Sequence, residues 1–206
     1  MWHPRRDDHG LPVRLLKPSV LTDLHTWSDA AALAQVVPDG PMPVTINGLP
    51  IAPWEDFPDN IAAWEALAST MPVEEPLFRT PKGFKKASGV VVRESDGRVW
   101  VVAPSNAFSG YEATFPKGGM DGKSARATAL VEAFEETGLQ VRLTGFLVDV
   151  QRSTSYTRYF LGERIGGNPA AMGWESQAVM LVPMALLGKV LNSPRDLPII
   201  AALKKT

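Results

Sequence analysis

Residues 123–137 are the stretch that most restricts what this chain can fold into. Lys123–Thr137 carries apolar residues at helical spacing and stops at Gly138, which tolerates the left-handed conformation that closes a helix. Strand-like apolar runs lie on both sides. Gly89–Glu94 and Arg98–Ala103 precede it, with Ser95-Asp96-Gly97 between them as a hairpin signal, and Glu112–Phe115 is a further short strand. Val141–Val150, Tyr156–Arg164 and Gln177–Val182 follow. Met184–Leu191 and Leu197–Leu203 read as closing helices. A helix embedded among strands predicts an α/β sandwich of the α+β kind with a mixed sheet.

The 206 residues divide in character near position 82. Residues 1–82 hold 12 of the 18 prolines, all three histidines (His3, His9, His25), and 6 basic against 11 acidic groups. They predict a proline-rich extension with short helices, at Ser28–Val37 and Asn60–Ala68. Trp54, Phe57 and Trp64 either pack onto the second part or form a lid or dimer arm. Residues 83–206, with 15 basic and 11 acidic groups, form the strand-rich domain.

Several chemistries fall away. The chain has no cysteine, which removes disulfides, thiolate metal sites and a cysteine nucleophile. No histidine lies beyond residue 82, so a Ser-His-Asp triad confined to the second part is excluded, and a metal there would be held by oxygen, favouring Mg²⁺ or Mn²⁺. A net charge of −1 gives no strong nucleic-acid footprint. The longest apolar stretch, Ala178–Leu191, is broken by Pro183, Gly188 and Lys189 and is too short to span a bilayer, so no membrane partner and a cytoplasmic location are expected.

The helix carries the chemistry. Leu130, Ala133, Phe134 and Thr137 share one face, and Glu132, Glu135 and Glu136 share the opposite one at i, i+3 and i+4. Like charges at that spacing repel, and a divalent cation turns the repulsion into ligation. The preceding turn, with Lys117, Gly118 and Gly119, offers backbone N–H groups and a cation to phosphate oxygens. Gly118–Ser124 also approaches a P-loop, but only three residues separate Gly118 from Gly122, where that loop needs four.

Val131-Glu132-Ala133-Phe134-Glu135-Glu136-Thr137-Gly138-Leu139 resembles the second part of the box of the Nudix hydrolase family, and Phe115-Pro116-Lys117-Gly118-Gly119 resembles its approach. The approach also resembles that of the diadenosine and diphosphoinositol polyphosphate branch. Three departures stand out: the loop from Gly118 is one residue short, Lys123 replaces the first glutamate, and Val131 replaces the arginine. The resemblance implies a Nudix-like α/β/α sandwich over residues 83–206, with metal held by Glu132, Glu135 and Glu136. It implies water attack on a phosphoanhydride, with Glu132 or Glu175 as base. The substrate would be a nucleoside diphosphate derivative or a dinucleoside polyphosphate, with ADP-ribose and nucleoside triphosphates open.

Arg152 and Arg158, six residues apart near one strand, are candidate phosphate contacts or solvated strand residues. Trp174 either stacks on a ligand or packs at an edge. A homodimer stays open. The altered box admits an alternative, a nucleotide-binding sensor with weak or absent turnover and a protein partner.

Overall fold

A computed structural model describes residues 1–206. The chain begins with an antiparallel pair, β1 (Trp2–Arg6) and β2 (Pro12–Arg14). The helix expected over 28–37 does not form. A 3-10 turn occupies Leu24–Ser28, Asp29 accepts the Ala31 N–H at 2.8 Å in a local turn, and strand β3 follows at Ala34–Val36. Tertiary pairing overrides helix propensity there, because Ala34 and Val36 alternate about Gln35 and bury fully against a neighbouring strand. Two-residue strands β4 (Thr45–Ile46) and β5 (Leu49–Pro50) flank Asn47-Gly48, both at positive φ as a tight hairpin turn requires. Helix α1 (Ile61–Ser69) is capped by Asn60, whose Oδ1 accepts the Ala63 N–H at 3.0 Å.

The second part runs β6 (Lys85–Val92), β7 (Val99–Pro104), β8 (Lys117–Gly119), α2 (Ala125–Thr137), β9 (Leu139–Gln151), β10 (Ser155–Gly167), β11 (Ser176–Val182), α3 (Leu187–Val190) and α4 (Leu197–Leu203). A mixed sheet has the order β8-β6-β10-β9, with β10 parallel to β6 and antiparallel to β9. An antiparallel sheet has the order β3-β11-β7. The turn at Ser95-Asp96-Gly97 forms as expected, held by Asp96 accepting the Arg98 N–H at 3.0 Å, but its two strands part at once. They meet only at Arg93 and Val99, and then join different sheets. The Glu112–Phe115 strand reduces to a single bridge between Thr114 and Val102. The helix expected at Met184–Leu191 is a 3-10 turn and one α turn, consistent with Gly188 inside it.

Both faces of these sheets are buried, which explains why the strands read as unbroken apolar runs. Val90, Val92, Trp100, Val102, Val179 and Leu181 face one core with Leu130, Ala133 and Trp27. Val91, Val99, Val101, Met180 and Val182 face the other, covered by Leu187, Ile199 and Leu203 of the closing helices. The result is an α/β/α sandwich. Residues 1–82 enter the first core through Trp27, Val36, Ile46 and Trp64. Trp54, Phe57 and Trp64 pack on Phe134 of α2, with ring centroids 5.3, 4.5 and 6.2 Å away. They brace the helix and are not among the residues lining the acidic cleft on its other side. No helix is long and apolar enough to cross a membrane.

Candidate active site

Helix α2 is fixed at both ends. Ser124 caps it through Oγ, which accepts the Ala127 N–H at 3.2 Å, while Glu65 of α1 accepts the Ser124 N–H at 2.5 Å. Gly138 closes it at φ 68°, its N–H donating to the Phe134 carbonyl at 2.7 Å. Glu132 and Glu136, one turn apart, therefore point to the same side. Each is only 8% exposed.

Two backbone approaches complete the arrangement. Strand β8 runs close over α2, so that the Lys117 N–H donates to Glu136 Oε2 at 3.1 Å. A Cβ on Gly118 would lie 2.3 Å from the Glu132 carboxylate, so any side chain there would have to push that carboxylate aside. On the other side, the Gly173 N–H donates to the Glu135 carbonyl at 2.7 Å. That contact docks the 173–175 loop on α2 and brings in Glu175. Carboxylate oxygens of Glu132, Glu136 and Glu175 then lie within 4.8 Å of one another. Glu135, the i+3 residue, lines the same cleft outside this closest group.

The electrostatics are adverse without a cation. Burial, then Glu136, Glu135 and Glu175, push the Glu132 carboxyl up to about 9 against Lys123. Burial raises Glu136 to about 8, opposed first by Lys117. Burial and Glu175 raise Glu135, and burial and Asp8 raise Glu175. The cleft holds about 540 Å³ and is lined by six carboxylates (Asp8, Asp121, Glu132, Glu135, Glu136, Glu175) against Lys117, Lys123 and Arg152. With all six ionised, as metal ligation by Glu132 and Glu136 requires, the excess of three negative charges would repel a phosphate chain unless divalent cations entered with it. A larger groove of about 720 Å³, between Leu49, Arg93, Arg164 and Met184, has balanced charges and no such carboxylate cluster.

The remaining sequence candidates separate. Lys117, Gly118, Gly119, Arg152 and Trp174 line the cleft. Arg152 is 4% exposed and is held from behind, with Nη2 donating to Tyr159 Oη at 2.6 Å and to Asp196 Oδ1 at 2.5 Å. Arg158, expected as a phosphate contact or a solvated strand residue, does not line the cleft. It forms a fork with Asp149 (2.9 Å on both arms), donates to Glu75 at 2.6 Å, and lies between the Phe78 and Phe146 rings. Arg152 precedes the turn between β9 and β10 while Arg158 lies inside β10, so the straight-strand spacing does not apply. Sequence reasoning missed Asp8, Ser105, Phe108 and Tyr111, all in the cleft lining. Asp8 sits in an Asp-Asp-His-Gly turn whose only sequence signal is that of a turn.

Residues 83–203 match the family described as the NUDIX domain. No curated protein matches the chain's sequence. Among solved structures, an ADP-ribose pyrophosphatase from Streptococcus suis aligns with TM-score 0.50 and 16% identity, over 59% of this chain and 90% of that one. An Ap4A hydrolase from C. elegans aligns with TM-score 0.47 and 17% identity, over 58% and 93%. A UDP-X diphosphatase aligns with TM-score 0.48 and 14% identity, over 68% and 70%. At such identities the likeness concerns the fold. The family match covers more than half of the chain and includes the glutamate-bearing helix, and on that ground the chain belongs to the Nudix family.

Proposed function

We propose that the protein hydrolyses a phosphoanhydride bond in a nucleoside diphosphate derivative, with Mg²⁺ or Mn²⁺ as cofactor. The observation that carries this reading is the cluster of Glu132, Glu136 and Glu175 at the foot of a cleft of nucleotide size. The donor set fits the cation. It is all carboxylate oxygen, it is partly buried, and its charges are mutually repulsive until a cation joins them. When bound, a divalent ion supplies positive charge against the phosphates and acidifies water in the cleft. Glu132 and Glu136 would hold it, with Glu135 beside them. Glu175, the exposed member of the cluster, takes the proton of the attacking water, while Glu132 is the alternative acceptor. Lys117 and the Gly118–Gly119 backbone face the phosphates, with Arg152 on the same wall. Trp174 offers a ring for the base or sugar.

The test is turnover in ¹⁸O-labelled water with ADP-ribose, dinucleoside polyphosphates and nucleoside triphosphates. Label should enter a phosphate product. Glu132→Gln and Glu175→Gln should lower kcat by at least about a hundredfold while changing ligand affinity less. Lys123, standing in the cleft where the family box has a glutamate, favours a second reading as a nucleotide sensor. Tight nucleotide binding with no metal-dependent product across the panel would decide for it.

A further inference from the structure

The first sixteen residues lie outside the family match, yet one of them, Asp8, lines the cleft. Their turn is hydrogen-bonded within itself: Asp7 Oδ1 accepts the N–H groups of His9 (3.0 Å) and Leu11 (2.8 Å), and Gly10 sits at φ +75°. The arm is fastened at two points. His3, 5% exposed, places Nε2 3.0 Å from the Ser176 carbonyl, next to Glu175. Beyond Ser105, whose N–H donates to the Glu175 carbonyl at 2.7 Å, Asn106 donates to the Arg14 carbonyl and accepts the Leu16 N–H, both at 2.8 Å. The turn thereby presents Asp8 to the cleft, where its Oδ1 accepts the Trp174 Nε1–H at 3.0 Å. Asp8 is not one of the three clustered carboxylates, although its charge is near enough to Glu175 and Glu135 to disfavour theirs.

Resting on the hydrolase reading above, we propose that Asp8 is a specificity-determining residue. It favours substrates whose group beyond the pyrophosphate carries hydroxyls, such as a nucleoside-diphosphate-linked sugar, over those that end in a free phosphate. A carboxylate is an acceptor-only group. With Oδ1 engaged by Trp174, Oδ2 remains to accept a sugar hydroxyl. The same charge repels a terminal phosphate that reaches the mouth of the cleft, so discrimination comes from attraction and repulsion together.

Calorimetry in Mg²⁺ with methylene-bridged analogues of ADP-ribose and of ATP reads this without turnover. The full-length chain should bind the ADP-ribose analogue more tightly. Asp8→Asn keeps an acceptor for Trp174 and removes the charge, and it should narrow the Kd ratio by about tenfold, the discount from a buried charged contact reflecting exposure. Asp8→Lys should reverse the preference. Equal ratios in all three proteins, or equal weakening of both ligands, would overturn the proposal. So would a loss of Mg²⁺ affinity in Asp8→Asn at unchanged ratio, which would make Asp8 a metal ligand instead. A chain that binds neither analogue overturns it together with the hydrolase reading. Failure of turnover with an Asp8-dependent ratio overturns only the hydrolase reading.

Discussion

Gly118 lies directly against the acidic cluster. Its missing side chain is the space into which the Glu132 carboxylate fits, and a methyl group there must displace that carboxylate or the β8 backbone. Gly118→Ala should therefore weaken Mg²⁺ binding by about 10–100-fold, the range seen when a residue supporting a ligand is lost. Unfolding temperature should change little by comparison. Mg²⁺ titration of the two proteins checks this, and equal affinities would refute it. Val131, at the position of the family arginine, is 5% exposed in the main core and has no access to the cleft. A second expectation concerns protons. Without metal, Glu132 and Glu136 keep their protons to about 9 and about 8, while in the unfolded chain they titrate near the ordinary value of about 4.5. Between those limits the folded chain binds more protons, so the two groups make stability fall as pH rises. Mg²⁺ replaces the protons, so the rise in Tm on adding it should be larger near pH 9 than near pH 6, by about several degrees. A pH-independent Mg²⁺ effect in thermal unfolding scans would contradict the assignment.

At the scale of elements, α2 owes its position to contacts from residues 1–82 as well as to its caps. Phe134 is the point where Trp54, Phe57 and Trp64 meet the helix. Phe134→Ala should cost about 2–3 kcal/mol by urea unfolding, less than for a fully buried ring because Phe134 is only partly buried. It should also lower kcat by shifting Glu132 and Glu136 on the same helix; a stability loss with unchanged kcat would mean that the helix is held without the aromatic brace. Helix α2 itself was legible, since its apolar spacing, its Gly138 stop and its glutamate spacing are all local, although its start falls two residues later than the expected Lys123, after the Ser124 cap. The pairing of Glu132 with Glu136 was legible for the same reason. Glu175 could be named from the resemblance, but its contact depends on Gly173 docking on the Glu135 carbonyl, and nothing within the 173–177 stretch specifies that. The sequence predicts a helix over Ser28–Val37 because that stretch has ordinary helical composition, and only the open edge of β11 makes Ala34–Val36 extended. Asp8 lies 124 residues before Glu132, and no periodicity links a surface turn to a helix so distant.

At the scale of the molecule, residues from both parts are joined by one buried polar network. Glu94 Oε1 accepts from Arg164 Nε at 2.6 Å and from Trp100 Nε1 at 2.9 Å, and Oε2 accepts from Asn47 at 3.0 Å. Arg164 Nη2 donates to the Ile46 carbonyl at 2.8 Å. Glu94→Ala leaves a guanidinium buried without its partner and should cost about 3–5 kcal/mol, with little direct effect on the cleft. Because this network and the first core include residues from both parts, calorimetric unfolding of the full chain should show a single transition. Two separated transitions would show that residues 1–82 fold apart. The three-residue strand β3 has a further consequence. It covers the outer edge of β11, whose sequence Ser-Gln-Ala-Val-Met-Leu-Val has no charge and no proline. If β3 peels away, an uncharged, largely apolar strand presents unpaired N–H and carbonyl groups to any similar strand nearby, the arrangement from which edge-to-edge aggregation begins. Shortened versions of this chain that start after residue 36 should therefore precipitate or form β-rich aggregates, and the small strand acts as a guard of solubility.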